Sequence, residues 1–326
     1  MITSVGRRYD IVASFAQHTT VIATETSPLA PAQYAAQVRA LVPPLDDPQY
    51  VPELRRLCEE HDVGIVLPLI DPDIVALAEA RERGELPALV VDAEIARESF
   101  DKYATHRLLE RHGLPSPPTV LPAEDEPDHY PVIVKPRHGS GSRSIWRARD
   151  AEQVRFLVGY SEEPVIVQRA LNGREFSIDC LSDQDGRCLN AIPRTMTESR
   201  GGESVKGTVI ADADLVELGR SVAEAFGARG PCMVQCFRDP ELGLRVTDVN
   251  LRFGGGYPGH MYGALPGQTY PELIARMARG ERVEPHVGQM RSGVTFARYY
   301  WQLELDDEMH PTGREIVPGG PPPPQR

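Results

Sequence analysis

The chain has 326 residues, of which 41% are hydrophobic and 25% are charged, and its formal net charge is −12. This composition is typical of a globular protein with room for two or three subdomains, and its acidic balance argues against general nucleic-acid binding, which requires a basic surface. The longest apolar runs are far shorter than the roughly 20 residues of a membrane span, and the first residues lack a signal-peptide pattern, so the sequence predicts a cytoplasmic protein with neither a membrane nor a nucleic acid as partner.

Residues 1 to 98 alternate between strand and helix patterns, which predicts a parallel sheet covered by helices on both faces. The predicted strands are MITSV, TVIAT, GIVLPL and PALVV. The predicted helices are GRRYDIVASFAQ, PQYVPELRRLCEEH and DPDIVALAEARERG. Because ligands of such sheets gather at the carboxyl ends of the strands, Gly6, Arg7 and Asp71 are predicted to contact a substrate. A solvated helix start is the alternative interpretation of Arg7 and Arg8.

Lysine is scarce in this chain, because the 35 Lys and Arg residues include only Lys102, Lys135 and Lys206 as lysines. A compact ammonium binds differently from a planar guanidinium, so these positions are candidates for an anion site, with chance survival as the alternative. Asp101 is a predicted N-cap, which places Lys102 in the first turn of a helix. The helix dipole disfavours a cation there by about 0.3–1 kcal/mol, and a bound phosphate would reverse the sign of that effect.

A glycine–serine loop, RHGSGSR, joins two predicted strands, PVIVKP and SIWRA, over residues 130 to 148. Backbone N–H groups and hydroxyls can converge on an anion in such a loop. Lys135 ends the first strand, where a buried ammonium is costly unless an anion meets it. The loop lacks the third glycine of a dinucleotide fingerprint and leads into a strand, so a hairpin lid is predicted.

The following segments predict further strands and a basic loop. REFSIDCL alternates so that Glu175, Ser177 and Asp179 share one face of a strand. The stretch from 190 to 210 combines cations with glycines, which predicts a mobile loop facing an anion, with a solvated surface loop as the alternative. Its candidate anion-binding residues are Arg194, Arg200 and Lys206. The five cysteines include no CxxC pair, so neither a zinc site nor a disulfide framework is predicted.

A last pair of predicted strands is joined by a turn around DPELG. Period-two spacing places Asp248, Asn250 and Arg252 on one face of the second strand. If the hairpin is symmetric about residues 241 and 242, Gln235 lies opposite Asp248, and another side-chain oxygen joins this polar row.

Five segments, in this order and spacing, resemble the ATP-grasp enzymes. They are DKYATHRLLERHGLPSP, VIVKPRHGSGS, VIVQRALNGREFSID, RTMTESRGGESVKG, and VQCF followed by VTDVNLRFGGGYPGH. The chain looks most like single-module relatives of the carbamoyl phosphate synthetase large subunit, which include amino-acid ligases such as the pyrrolysine-pathway ligase. The resemblance implies a fold of class α/β and α+β, with a Rossmann-like, parallel-sheet pre-ATP-grasp domain at 1–98 and a two-subdomain ATP-grasp domain after it. The lid subdomain is expected at 99–165, the large subdomain at 166–305, and a disordered proline-rich tail at 306–326.

The resemblance also implies roles for individual residues. The implied nucleotide contacts are Lys102, Lys135, His138, Gly139, Ser140, Gly141, Ser142, Gln168, Ala170, Leu171 and Glu175. The implied ligands of Mg²⁺, or alternatively of Mn²⁺, are Gln235, Asp248 and Asn250. Arg252 is expected at the transferred phosphate. The residues expected near the acyl substrate are Arg194, Arg200, Lys206 and Gly255.

Two positions depart from the family pattern. Gln168 and Asp248 both stand where glutamate is the frequent residue. Aspartate is one methylene shorter than glutamate, and Mg²⁺ requires octahedral oxygen ligands at roughly 2.0–2.1 Å, so one and two bound ions are both left open.

The chemistry that the resemblance implies is ATP-dependent ligation of a small carboxylate, such as an amino acid, to an amine. The carboxylate attacks the γ-phosphoryl group of ATP, and the amine then displaces phosphate from the acyl phosphate to give an amide. One alternative is an enzyme that activates carbamate or forms carboxyphosphate, and another is a nucleotide-binding protein without ligase activity. A homodimer is expected because such relatives commonly pair.

Overall fold

The computed structural model describes residues 1–139, 144–200, 203–256, 263–299 and 302–312, without the side chains of Arg200 and Glu203. Within these ranges, no helix is long and apolar enough to cross a membrane.

The N-terminal region forms the predicted parallel sheet. Its strands are β1 (Ile2–Thr3), β2 (Ile22–Glu25), β3 (Val38–Leu41) and β4 (Leu67–Pro68), in the spatial order β3-β2-β1-β4. Its helices are α1 (Tyr9–Ala16), α2 (Tyr50–His61), α3 (Asp71–Glu82) and α4 (Ala93–Phe100). The prediction of a full strand at PALVV is wrong, because only a parallel bridge between Val66 and Ala88 forms there. Strand β3 was not predicted, since VRAL lacks an apolar run.

The next region is a small antiparallel sheet with two helices. Its elements are α5 (Lys102–Arg111), β5 (Thr119–Val120), β6 (Val132–Pro136), β7 (Trp146–Ala148), α6 (Ala151–Tyr160) and β8 (Val165–Arg169). The strands take the order β5-β8-β6-β7, so the predicted hairpin of β6 and β7 is confirmed. A separate apolar cluster fills this region, composed of Val132, Val134, Ala148, Val154, Val165 and Val167. We call these six residues the lid core.

The remaining chain builds two antiparallel sheets and two helices. Its elements are β9 (Arg174–Ser182), β10 (Cys188–Thr195), β11 (Glu198–Arg200), β12 (Glu203–Thr208), α7 (Ala213–Ala225), β13 (Gly230–Asp239), β14 (Gly243–Asn250), α8 (Tyr270–Ala278) and β15 (Thr295–Ala297). The long strands take the order β10-β9-β13-β14, and the short ones β11-β12-β15. The loop predicted over residues 190 to 210 is therefore wrong, because most of that segment is strand.

The hairpin of β13 and β14 sets the position of the polar row. Near the turn Asp239 faces Gly243, whereas a hairpin symmetric about residues 241 and 242 would place residue 244 opposite Asp239, so the pairing there differs by one residue. A bulge between Gln235 and Cys236 then shifts the register by one residue. Gln235 consequently lies opposite Asp248, as predicted.

The largest apolar cluster crosses from the N-terminal region into the long antiparallel sheet. It contains Leu54 and Leu77 from the first region, Leu109 from α5, and Ile178 and Val234 from the long sheet. These regions therefore share one core, whereas the lid core is separate.

Candidate active site

The polar row predicted on β14 is formed. Val249 and Leu251, which are 5% and 4% exposed, pack into the large core, and the residues between and around them lie on the other face. Asn250 Nδ2 donates to Asp248 Oδ2 at 3.4 Å, and Arg252 Nη2 donates to Asn250 Oδ1 at 3.0 Å. A carboxylate, an amide and a guanidinium are thus linked side by side.

Arg252 lies just past the end of β14 and is bound from two regions of the fold. Its Nη2 forms an ion pair with Asp71 Oδ2 at 2.6 Å, and its Nη1 donates to the Phe253 carbonyl at 2.9 Å. Asp71 is the first residue of α3, so this ion pair joins the parallel sheet to the long antiparallel sheet. Asp71 was predicted to contact a substrate, and in the structure its partner is Arg252.

Gln235 brings a second amide to the row from β13. Its Nε2 donates to Glu175 Oε1 at 3.4 Å across the neighbouring strand. Burial raises the pKa of Glu175, and the nearby Arg194 acts in the opposite direction. Glu175, an expected nucleotide contact, is therefore beside one of the expected metal ligands.

Lys135 is a buried cation that reaches the row from the lid. Its Nζ donates to Gln168 Oε1 at 3.0 Å and to the Thr247 carbonyl at 3.4 Å, and the residue is 8% exposed. Gln168 Nε2 donates to Thr119 Oγ1 at 2.9 Å, which fixes the amide with its oxygen toward the ammonium. The Gln168 side chain, which stands where glutamate is frequent, is thus a direct partner of Lys135.

The charge on Lys135 is only partly stabilised, because the groups that accept its hydrogen bonds are neutral. Burial lowers the pKa of Lys135 to about 8, with Asp248 opposing this effect and Lys102 adding to it. An anionic ligand would stabilise the ammonium, which is the behaviour predicted for a lysine at a phosphate site.

The N-terminus of α5 contains another lysine, Lys102, and contacts the start of the predicted loop RHGSGSR, which begins at Arg137 and which we call the lid loop. Asp101 accepts hydrogen bonds from the backbone N–H of Tyr103 at 2.9 Å and from Arg137 Nε at 2.8 Å, so the predicted N-cap is confirmed. Burial alone would raise the pKa of Asp101, but the hydrogen bonds from Arg137 and the backbone outweigh it and lower the pKa. Lys102 Nζ donates to the Gly139 carbonyl at 2.6 Å, so it already contacts the loop.

Other predicted nucleotide contacts lie around the lid. The His138 ring lies 6.1 Å from that of Phe100, and the backbone N–H of Ala170 donates to the Pro131 carbonyl at 3.1 Å. Leu171 follows β8 and is partly buried. Predicted contacts outside the described residues are Ser140, Gly141, Ser142 and the side chain of Arg200.

Two cations predicted at the acyl substrate have partners within the fold. Arg194 is 1% exposed and donates from Nε to Asp179 Oδ2 at 2.6 Å. This ion pair gives Arg194 a structural role, since breaking a buried ion pair is strongly destabilising, and its contact with the substrate stays a prediction. Lys206 is half-exposed and pairs with Glu198 at 2.6 Å across the hairpin of β11 and β12.

The glycine turn after β14 is bound by arginines that the sequence analysis did not select for the site. Arg8 Nη1 donates to the Gly254 carbonyl at 2.9 Å, and Arg298 Nη1 donates to the Gly255 carbonyl at 2.7 Å. Arg7 is exposed, so Arg8 is the arginine of this pair that reaches the turn. The pattern of charges could not distinguish these neighbours.

Gly6 shapes the loop that carries Arg8. Its φ is +49°, a left-handed conformation that favours glycine, and its N–H donates to Glu25 Oε2 at 2.8 Å. The loop therefore lies at the carboxyl ends of β1 and β2, where the sequence analysis expected a substrate.

The polar row has a donor set that suits a magnesium ion. Among the described residues, no cluster of three or more His, Cys, Asp or Glu side chains suits a metal. The Asp248 carboxylate and the amide oxygens of Gln235 and Asn250 nevertheless fit Mg²⁺, because this ion usually takes few protein ligands together with substrate phosphates.

Comparison with known proteins identifies the family. The chain is 30% identical over 268 residues to the D-alanine–D-alanine ligase of Kineococcus radiotolerans, covering 68% of this chain and 70% of that one. The chain belongs to the ATP-grasp superfamily. A model described as the PylC-like N-terminal domain matches residues 1–88, and one described as ATP-grasp in the biosynthetic pathway with Ter operon matches residues 161–299.

Other ATP-grasp proteins cover different shares of the chain. The large chain of carbamoyl phosphate synthase from Clostridium beijerinckii is 24% identical over 214 residues, which are 60% of this chain and 20% of that one. The crystal structure of an L-amino acid ligase from Bacillus licheniformis superposes with a TM-score of 0.67 and 20% identity, covering 90% of this chain and 77% of that one. At this identity the superposition shows a shared ATP-grasp fold.

Proposed function

We propose that the protein is an ATP-dependent ligase that joins the carboxylate of an amino acid, or of a similar small acid, to an amine through an acyl phosphate. The observation that carries the proposal is the meeting of the lid and the polar row, where Lys135 Nζ lies 3.4 Å from the Thr247 carbonyl, next to Asp248. The buried Lys135 ammonium is also close enough to the Asp248 carboxylate to be stabilised by it, and a cation beside oxygen ligands suits a nucleotide triphosphate and its metal. The D-alanine–D-alanine ligase relative supports amide formation as the reaction.

Each group has a role in this reaction. Lys135 and Lys102 bind the phosphates of ATP, and Arg252 contacts the phosphoryl group that is transferred. Asp248, Asn250 and Gln235 would hold Mg²⁺, or Mn²⁺ in its place, and this ion supplies charge that stabilises the transferred phosphoryl group.

The chain's own contribution is binding, orientation and charge. The acyl carboxylate is itself the nucleophile toward the phosphoryl group, so this step requires no nucleophilic side chain. An acyl phosphate then reacts with the amine because phosphate is a good leaving group. The buried position of Lys135 keeps its charge in a poorly solvated environment, where it acts strongly on the phosphates.

A carboxyphosphate-forming enzyme is the second candidate. The similarity to the carbamoyl phosphate synthase large chain favours it, although this chain spans only 20% of that relative. Bicarbonate would then replace the amino acid as the acid that attacks ATP.

The test is phosphate release from ATP with a panel of amino acids, each with and without a second amine, and with bicarbonate as a separate arm. Amino-acid-dependent release together with an amide product by mass spectrometry is expected. Release with bicarbonate alone supports the second candidate, and ATP binding without ADP formation supports a nucleotide-binding protein.

The matched control for this assay is Asp248→Asn, which keeps the shape of the side chain and removes its charge. We expect turnover to fall at least about a hundredfold with a smaller loss of ATP affinity, because the metal charge matters most in the transition state. Equal losses in turnover and affinity would mean that Asp248 only anchors the nucleotide.

A further inference from the structure

The ion pair of Asp71 and Arg252 joins two regions that are 181 positions apart in sequence. Its side chains are 22% and 12% exposed, so it is mostly shielded from water, unlike the surface ion pairs of this chain. Asp71 Oδ2 and Asn250 Oδ1 both accept from Arg252 Nη2, at 2.6 and 3.0 Å, while Nη1 is held by the Phe253 carbonyl. Both terminal nitrogens of the guanidinium are therefore restrained.

The start of α3 is a rigid support for Asp71. Two residues later, the fully buried Asp73 carboxylate accepts from Thr3 Oγ1 at 2.5 Å, Ser4 Oγ at 3.1 Å and Tyr50 OH at 2.7 Å. These bonds attach the first turn of α3 to β1 and α2. Asp71 is consequently held in place relative to the parallel sheet, and its ion pair restrains the Arg252 guanidinium to that position.

A second contact from the same region strengthens the connection. Arg8, which follows β1, donates to the Gly254 carbonyl at 2.9 Å, two residues beyond Arg252. The segment from 252 to 254 is thus held by two side chains of the N-terminal region, one acidic and one basic. The sequence pattern predicts only substrate contacts for Gly6, Arg7 and Asp71 of this region.

We propose that Asp71 is a positioning residue that fixes the Arg252 guanidinium for the transferred phosphoryl group, so that the N-terminal region is a structural component of the phosphoryl-transfer site. This inference rests on the proposed function, because it requires Arg252 to contact the γ-phosphate. Preorganisation matters here, since a misplacement of about 1 Å can cost on the order of a hundredfold in rate. In a competing role, Asp71 would hold Arg252 away from the phosphate. Removing the Asp71 charge would then strengthen the binding of ATP relative to ADP, whereas the positioning role predicts that it weakens.

The test measures the affinities for ATP and ADP, each with Mg²⁺, by calorimetry, so it needs no acyl substrate. The ratio of the two affinities reports the contribution of the γ-phosphate. For Asp71→Asn we expect ADP affinity to stay within about twofold and the ratio to fall by about tenfold, which corresponds to about 1.4 kcal/mol. Arg252→Ala should lower the ratio at least as much, and adding Asp71→Asn to it should cause no further change.

Asp92→Asn is the matched control, because Asp92 also forms an ion pair between the two regions, with Arg229 at 2.6 Å, at an exposed position. It should leave the ratio unchanged. Asp71→Glu keeps the carboxylate and should retain part of the preference for ATP over ADP. If Asp71→Asn does not fold, Asp71→Glu takes its place in the measurement.

Three outcomes overturn the inference without affecting the proposed function. An unchanged ratio in Asp71→Asn removes the positioning role while leaving the proposed function intact. A raised ratio shows that Asp71 withholds Arg252, and an effect that persists in the Arg252→Ala background shows that Asp71 acts on the ligand directly. If the unaltered protein binds no ATP, the proposed function itself fails, and the inference fails with it.

Discussion

At the scale of single residues, Lys135 has a charge that depends on its ligand. The free protein holds its pKa at about 8, because the group is buried and its hydrogen-bond acceptors are the neutral Gln168 amide and Thr247 carbonyl. A bound triphosphate favours the ammonium and raises that pKa. Nucleotide affinity should therefore be fully present below pH 8 and should weaken as pH rises through 8 toward 10, by at most about tenfold per pH unit.

Lys135→Arg is the control for this pH dependence, since an arginine does not lose its proton in this range. The variant should bind ATP about tenfold more weakly at pH 7, because a planar fork fits poorly in a site built for a compact ammonium, and its affinity should not change between pH 8 and 10. Titration calorimetry at several pH values measures both. An identical pH profile in the two proteins would assign the titration to another group.

Residue-scale prediction from the sequence succeeded where the local pattern decides the outcome. The alternation on β14 gave the faces of Asp248 and Val249 because a strand has a period of two. It did not reveal the burial of Arg194, whose partner Asp179 lies on the neighbouring strand, since a charge pattern does not show which cation is buried. Asp248 kept its predicted place opposite Gln235, but only because a bulge corrects the position of the turn.

At the scale of elements, the helix α5 and the lid loop share one carboxylate. Asp101 caps the helix and also binds Arg137, the second residue before Gly139. Asp101→Asn keeps a good cap and loses the charge toward Arg137, whereas Asp101→Ala loses both. Loss of an N-cap costs about 1 kcal/mol, so we expect the alanine variant to lose about that much stability in urea denaturation and the asparagine variant distinctly less.

Both variants should weaken ATP binding, because both release Arg137 and with it the start of the loop that Lys102 contacts. A similar loss of affinity with different losses of stability would separate the two roles of Asp101. If ATP affinity instead follows stability across the pair, the ion pair with Arg137 has no role in binding.

Element-scale prediction from the sequence depended on how far apart the pairing strands are. The hairpin of β6 and β7 was predicted because its strands are close in sequence. The segment with β11 and β12 was predicted as a loop, because its sheet is completed by β15, where Lys206 pairs with Ala297. A local sequence pattern does not indicate a pairing strand that lies about ninety positions away.

At the scale of the whole molecule, the distribution of the core predicts how the protein unfolds. One apolar cluster includes Leu77 of the N-terminal region and Val234 of the long sheet, so these two regions should lose structure together in a single cooperative transition. The lid core has six buried valine and alanine side chains, with partly buried residues such as Trp146 and Leu157 packed against them, and it is separate from that cluster. Segments with few buried apolar contacts open at lower free energy than the global transition.

Hydrogen exchange followed by mass spectrometry tests this prediction. Peptides from the lid strands β6 and β8 should exchange at least about tenfold faster than peptides from β9 and β13, because local opening exposes them without global unfolding. Peptides from β2 should exchange with those of β9 as denaturant is added, since Ala23 of β2 and Leu181 of β9 belong to a second apolar cluster that the two regions share. ATP with Mg²⁺ should slow exchange in β6 through Lys135 and leave β2 nearly unchanged. Earlier exchange of β2 than of β9 would mean that the shared cluster does not couple them, and the ion pair of Asp71 with Arg252 would then join regions that unfold independently.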